Sequence, residues 1–292
     1  MRVLPALFLV LLLIFPAEAR LKTGPIDAGS GHRLKSGTVV DAMRTSLSVA
    51  YSFRKVVPAY VGPSVRLVRW DTLAEADIGF TSSGDFDRAA ALAHCGGPHD
   101  CYMMTAYDQS GNGRHATQAV HGNRPQLFLD CLGIQLCARS TWAGIGLGSA
   151  SIAWVSTKTS LSAVARRGSG TGPCYFVGKN INYLYADTAN VWSTTDFTSG
   201  SWPSPAADGA WHVGSTVIQG GGAAGSVSRI DGVETAGAAL TGSAAAGGAT
   251  FNSGSASTTC DDVEAMIWDG YALTSAERIA LADNQRQYWG TP

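Results

Sequence analysis

The 292-residue chain is short of charge. Asp, Glu, Lys and Arg make up 15% of it, against about 25% in ordinary soluble domains. The formal net charge is −1, so the composition offers no electrostatic attraction for nucleic acid or an anionic membrane. No CxxC or HxxxH spacing is present, which removes the usual framework of a Cys–His zinc site. Beyond residue 15 no apolar run approaches the roughly 18 residues of a membrane span. These absences leave a neutral ligand as the natural partner, and no metal or cofactor is expected.

What the chain does have is glycine, 35 residues of it, which suits a β-rich protein with many turns. Its first nineteen residues combine Arg2, an apolar run from Val3 to Phe15 and Ala17-Glu18-Ala19, the pattern of a cleaved secretory signal. Residues 20–292 are then expected to form one domain, near the ~250–300 residues that a single core can organise. A secreted or periplasmic monomer is the expectation.

Six cysteines in an exported chain point to disulfides. Cys95 and Cys101 enclose a Gly-Gly-Pro turn, Cys131 and Cys137 enclose five residues, and Cys174 and Cys260 remain to join two distant segments. Sequence alone leaves about 15 pairings open.

Short apolar or alternating runs separated by turn residues recur at intervals typical of a β-sandwich. They fall at 65–70, 101–107, 125–129, 152–155, 161–165, 175–177, 183–185, 211–218, 226–230 and 263–268, with a hairpin expected at Asp231-Gly232. Met43, Leu47, Ala50 and Tyr51 share a helical face and predict a short helix, and Asp85 is placed to cap another running through Ala91. The tetrad Thr274-Ser275-Ala276-Glu277 reads as a capping box opening a C-terminal helix to about Tyr288. The stretch 220–257 is rich in Gly, Ala and Ser but carries Val227, Ile230, Val233, Leu240 and Phe251, so it reads as loops between strands and not as a linker.

The segment Tyr107-Asp108-Gln109-Ser110-Gly111-Asn112-Gly113-Arg114-His115 predicts a tight loop, with glycines for positive φ and short polar side chains to bond the backbone. Asp108 and Asn112 are read as braces of this loop. His115 and His212 lack a serine or cysteine partner motif and receive no catalytic role.

The motifs "AYSFRK", "HCGGPHDC" and "AYDQSGNGRHATQA", with the closing "DVEAMIWDGYALTSAERIALADNQRQYWG", resemble the catalytic domain of α-L-arabinofuranosidase B within the concanavalin A-like lectin/glucanase superfamily. The resemblance implies an all-β, jelly-roll β-sandwich with a few short peripheral helices, one of them C-terminal. It also implies retaining hydrolysis of arabinofuranosyl groups by two carboxyl groups about 5–5.5 Å apart. Mapped onto this sequence, the nucleophile falls near Asp196. The acid position falls at Asn252, which is not an acid, leaving Asp261 or Asp262 on the next strand. Cys174, Tyr175, Trp192 and Asn252 would line the sugar pocket. Taken as residues alone, Glu264 reads as a structural or solvent-facing acid, and Asp261 and Asp262 as charges at a strand edge. Two functions stand: a glycoside hydrolase acting on arabinose-containing polysaccharide, and a glycan-binding or surface-interaction module that has lost the catalytic acids.

Overall fold

Alternation along two ten-residue strands organises the protein. In the computed structural model, β9 (Lys158–Arg167) and β17 (Cys260–Asp269) pair antiparallel along their full length, and nearly every residue of both is buried. With both faces of each strand covered, the polar residues that alternate with apolar ones are buried as well, and Asp261, Asp262 and Glu264 have no exposed surface. The structure describes residues 37–131, 136–141, 145–149, 158–179, 182–187, 191–195, 209–219, 225–237, 247–254 and 257–291. All of them lie in one unit, Arg33–Pro292. The expected signal, the 152–155 strand and Asp196 lie outside the described residues.

One sheet runs β1 (Val49–Ser52), β17, β9, β13 (His212–Gln219), β14 (Val227–Ile230) and β15 (Val233–Ala236). The helix α3 (Ser275–Trp289) covers it. The other runs β3 (Glu75–Ile78), β2 (Val65–Arg69), β4 (Cys101–Ala106), β5 (Ala116–Thr117), β8 (Leu147–Gly148), β16 (Ala249–Gly254), β10 (Cys174–Lys179), β11 (Asn182–Ala186) and β12 (Trp192–Thr195). At one end β6 (Gln126–Phe128) and β7 (Cys137–Ser140) pair in series from β4 to β17 and join the sheets. β10 and β16 lie over β9 and β17, and the space between is filled by residues such as Tyr51, Phe176, Trp192 and Phe251. The result is a β-sandwich of the jelly-roll class.

The three disulfides are Cys95–Cys101, Cys131–Cys137 and Cys174–Cys260, the last tying β10 of one sheet to β17 of the other. The hairpin forms where Asp231 and Gly232 take φ of 47° and 91°, the positive pair that a two-residue turn requires. The capping box is complete: Thr274 Oγ1 accepts from the Glu277 amide, and the Glu277 carboxylate accepts from the Thr274 amide at 2.7 Å.

Two local expectations are corrected. Ala50 and Tyr51 belong to β1, because pairing with Met266 and Ala265 outweighs their helical spacing. The helix there is shorter and earlier, α1 (Gly37–Ala42), followed by one 3-10 turn at Arg44–Ser46. The helix α2 (Arg88–Cys95) is capped by Asp87, whose side chain accepts from the Ala90 amide, and not by Asp85. Asp85 instead accepts from the Tyr288 hydroxyl of α3 at 2.5 Å.

Candidate functional site

Alternation along β10 and β11 sends Cys174, Leu184 and Ala186 inward, where all three are fully buried. Tyr175, Tyr183 and Tyr185 are left half-buried on the outer face. The Tyr175 and Tyr185 rings stack, with centroids 5.5 Å apart and planes at 18°, and Tyr183 lies 5.0 Å from Tyr175. Strand register aligns Ser253, Tyr175, Tyr185 and Ser193 in one row across β16, β10, β11 and β12. The next row is Thr250, Gly178, Tyr183 and Thr195. Gly178 contributes no side chain, and the Tyr183 phenol reaches across to the Thr250 hydroxyl. Burial pushes the Tyr183 pKa up, so the phenol stays a proton donor at neutral pH. Aromatic faces flanked by hydroxyls are the chemistry that holds an uncharged polyol: rings cover its apolar faces, and hydroxyls donate and accept.

Of the residues expected to bind substrate, only Tyr175 reaches this face. Cys174 is in its disulfide and Trp192 is packed against Phe176 at 4.7 Å, both with no exposed surface. Asn252 is likewise enclosed: its amide donates to the carbonyls of Ala138 and Cys260 at 2.6 and 3.2 Å, and its side-chain oxygen accepts from Ser140. It also holds a φ of 48°, a conformation that Asn tolerates better than most residues.

The acids of β17 are not strand-edge charges, because β17 is an interior strand. Asp261 accepts from Arg139 at 2.6 and 2.9 Å and from Arg166 at 2.5 and 2.9 Å, with no surface of its own. Asp262 is fully buried on the other face of the strand and has no hydrogen-bond partner of good geometry for either oxygen. A bulge between Asp262 and Glu264 lets Asp262 and Val263 share the interior face. Burial and the neighbouring Asp261 charge together raise the Asp262 pKa well above the ordinary carboxyl value, against a weaker pull from the Asn252 backbone amide. Burial without a charged partner thus disfavours the ionised form of Asp262. Glu264 is structural. It makes a two-point ion pair with Arg54 at 2.5 and 2.8 Å and accepts from Ser52, Gln285 and Trp289. Burial alone would raise its pKa, but these partners lower it. Neither Asp261 nor Asp262 presents an oxygen to a ligand, and Asp196 follows directly on β12 but lies outside the described residues.

The loop at 107–118 braces the fold. The Asp108 carboxylate accepts from the amides of Ala50, Ser110 and Arg114 at 2.9, 2.9 and 3.0 Å, and Asn112 donates to the carbonyls of Leu47 and Ser48. Gly111 and Gly113 take the positive φ values, 93° and 68°, that the loop needs. Cys131, Cys137 and Asp261 bring potential ligand atoms within 4.8 Å of one another. The sulfurs are joined as a disulfide and the carboxylate is engaged by two guanidiniums, so the trio lacks the thiolates a metal site requires. Tyr183 and Tyr185 were not singled out as site residues from the sequence. Their signal was there in the alternation Tyr183-Leu184-Tyr185, which puts both rings on one face.

Fold and face together define a jelly-roll β-sandwich with a half-buried tyrosine face on one sheet. No family model matches the chain and no curated protein matches its sequence. Among solved structures, a mutant GH54 α-L-arabinofuranosidase soaked with 4-nitrophenyl α-L-arabinofuranoside aligns with 86% of this chain and 64% of its own, at a TM-score of 0.67 and 16% identity. A GH54 α-L-arabinofuranosidase soaked with a cyclic sulfate inhibitor aligns over the same shares, at 0.64 and 15%. An arabinofuranosidase complexed with arabinofuranosyl-α-1,2-xylobiose aligns over 86% and 65%, at 0.65 and 14%. The chain thus spans just under two-thirds of the length of these structures, and at such identity the likeness is one of fold.

Proposed function

We propose that this protein is an exported carbohydrate-active protein, a single sandwich domain after its signal, that holds a neutral arabinofuranosyl-bearing glycan on the tyrosine face. The row Ser253–Tyr175–Tyr185 carries this reading, because it sets two stacked, half-buried rings beside a partly exposed hydroxyl, while Ser193, next in the row, is buried and donates to Asp187. Enclosure of both Asp261 and Asp262 favours binding without turnover.

The second reading is hydrolysis of α-L-arabinofuranosyl groups. It is favoured by the shared fold with arabinofuranosidases whose structures hold arabinofuranosyl ligands. Asp196 would act as nucleophile, with an acid about 5–5.5 Å away, a distance that would have to be met by a group other than enclosed Asp261 or Asp262.

Binding of arabinan and arabinoxylan, alongside chromophore release from an aryl α-L-arabinofuranoside, separates the readings. The expected result is polysaccharide binding that Tyr175→Ala weakens about tenfold, the loss of roughly one stacking contact, with release at background. Release that is abolished by Asp196→Asn would establish the hydrolase instead. Absence of both binding and release would reject both readings.

A further inference from the structure

A second surface shares no residue with the tyrosine face. Register places Tyr102, Gln126, Arg139, Asp261 and Arg166 side by side across β4, β6, β7, β17 and β9. Four interstrand steps of ~4.8 Å make this row roughly 19 Å long. At one end Trp70 is 57% exposed and its ring lies 5.2 Å from Tyr102 and 4.8 Å from His121. At the other end is a cleft of about 420 Å³ lined by His99, Phe128, Asp130, Arg139 and Arg166.

The charge at the cleft end is asymmetric in depth. Two guanidiniums share the single Asp261 carboxylate, which has no exposed surface, while Arg139 and Arg166 keep 18% and 10% of theirs. Arg139 spends Nε and Nη2 on Asp261 and Cys131 and lies over the Phe128 ring at 4.0 Å, so its Nη1 has no protein acceptor among the described residues. Asp130, 53% exposed, is the one acid at the rim among the described residues and is bonded to His99. The buried Asp261 charge orients the two arginines, and the exposed parts of their guanidiniums face the cleft beside the Asp130 carboxylate.

We infer that this row binds a carboxylate-bearing oligosaccharide, a polyuronate segment, with a sugar ring on the Trp70–Tyr102 platform and a uronate carboxylate on Arg139 in the cleft. Aromatic stacking selects a glycan, and the guanidinium donors select its acidic form.

Calorimetric titration of the mature chain with tetragalacturonic acid, and with an uncharged galactose tetrasaccharide, tests this. The acidic oligomer is expected to bind about tenfold or more tightly than the neutral one, the worth of one charge-assisted bond, and to weaken with added salt. Arg139→Gln and Trp70→Ala are each expected to lower affinity about tenfold. Asp130→Asn, which removes a repelling charge, is expected to raise it. Trp70 and Asp130 are exposed, so those variants stay folded even if Arg139→Gln does not. Equal binding of the two oligomers, no binding of the acid, or indifference to both Trp70→Ala and Asp130→Asn would each overturn the inference. Tyr175→Ala should leave uronate binding unchanged, which keeps this outcome separate from that of the tyrosine face.

Discussion

Asp262→Asn should remove a pH-dependent cost that the native sandwich carries. Asp262 is fully buried, lacks a hydrogen-bond partner of good geometry and lies beside the ionised Asp261, so its folded-state pKa is raised by burial and then by that charge. An unfolded chain releases this proton near the ordinary carboxyl value of about 3.9. Between that value and the folded one, the native state binds the extra proton and stability falls as pH rises, by about 1.4 kcal/mol per pH unit for one proton. The contribution is fully present below pH ~4 and is lost as pH climbs towards the folded value. Over pH 4 to pH 6 the wild type should therefore lose stability that the Asn variant keeps. Denaturant unfolding of both proteins at pH 4, 5 and 6, with disulfides intact, measures the difference. Glu264 also titrates, but it is common to both proteins and cancels when one curve is subtracted from the other. A variant-minus-wild-type difference that stays flat over this range would refute the reasoning, since it would mean that Asp262 ionises in the fold as freely as in the unfolded chain.

Glu264→Gln should destabilise by about 3–5 kcal/mol, because it leaves the Arg54 charge buried without its partner, and urea midpoints at pH 7 would show it. The lowered Glu264 pKa gives stability that is present above the unfolded value and lost as pH falls through the folded one; the acid-unfolding curve of the Gln variant should be correspondingly flatter. Asp108→Ala should cost about 2–4 kcal/mol by stranding the Ala50, Ser110 and Arg114 amides that its carboxylate holds, read as a lower melting temperature with glycan affinity retained. Replacing Cys174 and Cys260 together by Ala opens an 86-residue loop, for which chain entropy gives a loss of about 4.5 kcal/mol; peptide mass mapping of the native protein should show these two cysteines linked.

Much of the fold was legible along the chain. Alternation and turn chemistry located most strands, the Asp231-Gly232 hairpin and the Thr274 capping box, since each is set by residues within a few positions of one another. β3, β5, β7, β8, β12, β15 and β16 were not legible: all but β16 are only two to four residues long, too short for alternation to show. The helix expected through Tyr51 failed for a related reason. Four buried residues in a row, Val49–Ser52, fit either element, and only pairing with β17 decides for the strand.

The candidate site divides the same way. Sequence by itself determined that the chain is poor in charge, β-rich and supplied with six cysteines, and that Asp108 and Asn112 brace a loop, because composition and short-range hydrogen bonding settle such things locally. Only the tertiary structure decided what each acid does. Asp261, Asp262 and Glu264 lie within four positions on one strand, yet one is shared by two arginines, one is buried with no side-chain partner among the described residues, and one closes a network with Arg54 and α3. A carboxylate's role is fixed by the charges and solvent around it, and those neighbours come from β7, β9, β1 and α3, segments that meet only when the sandwich closes.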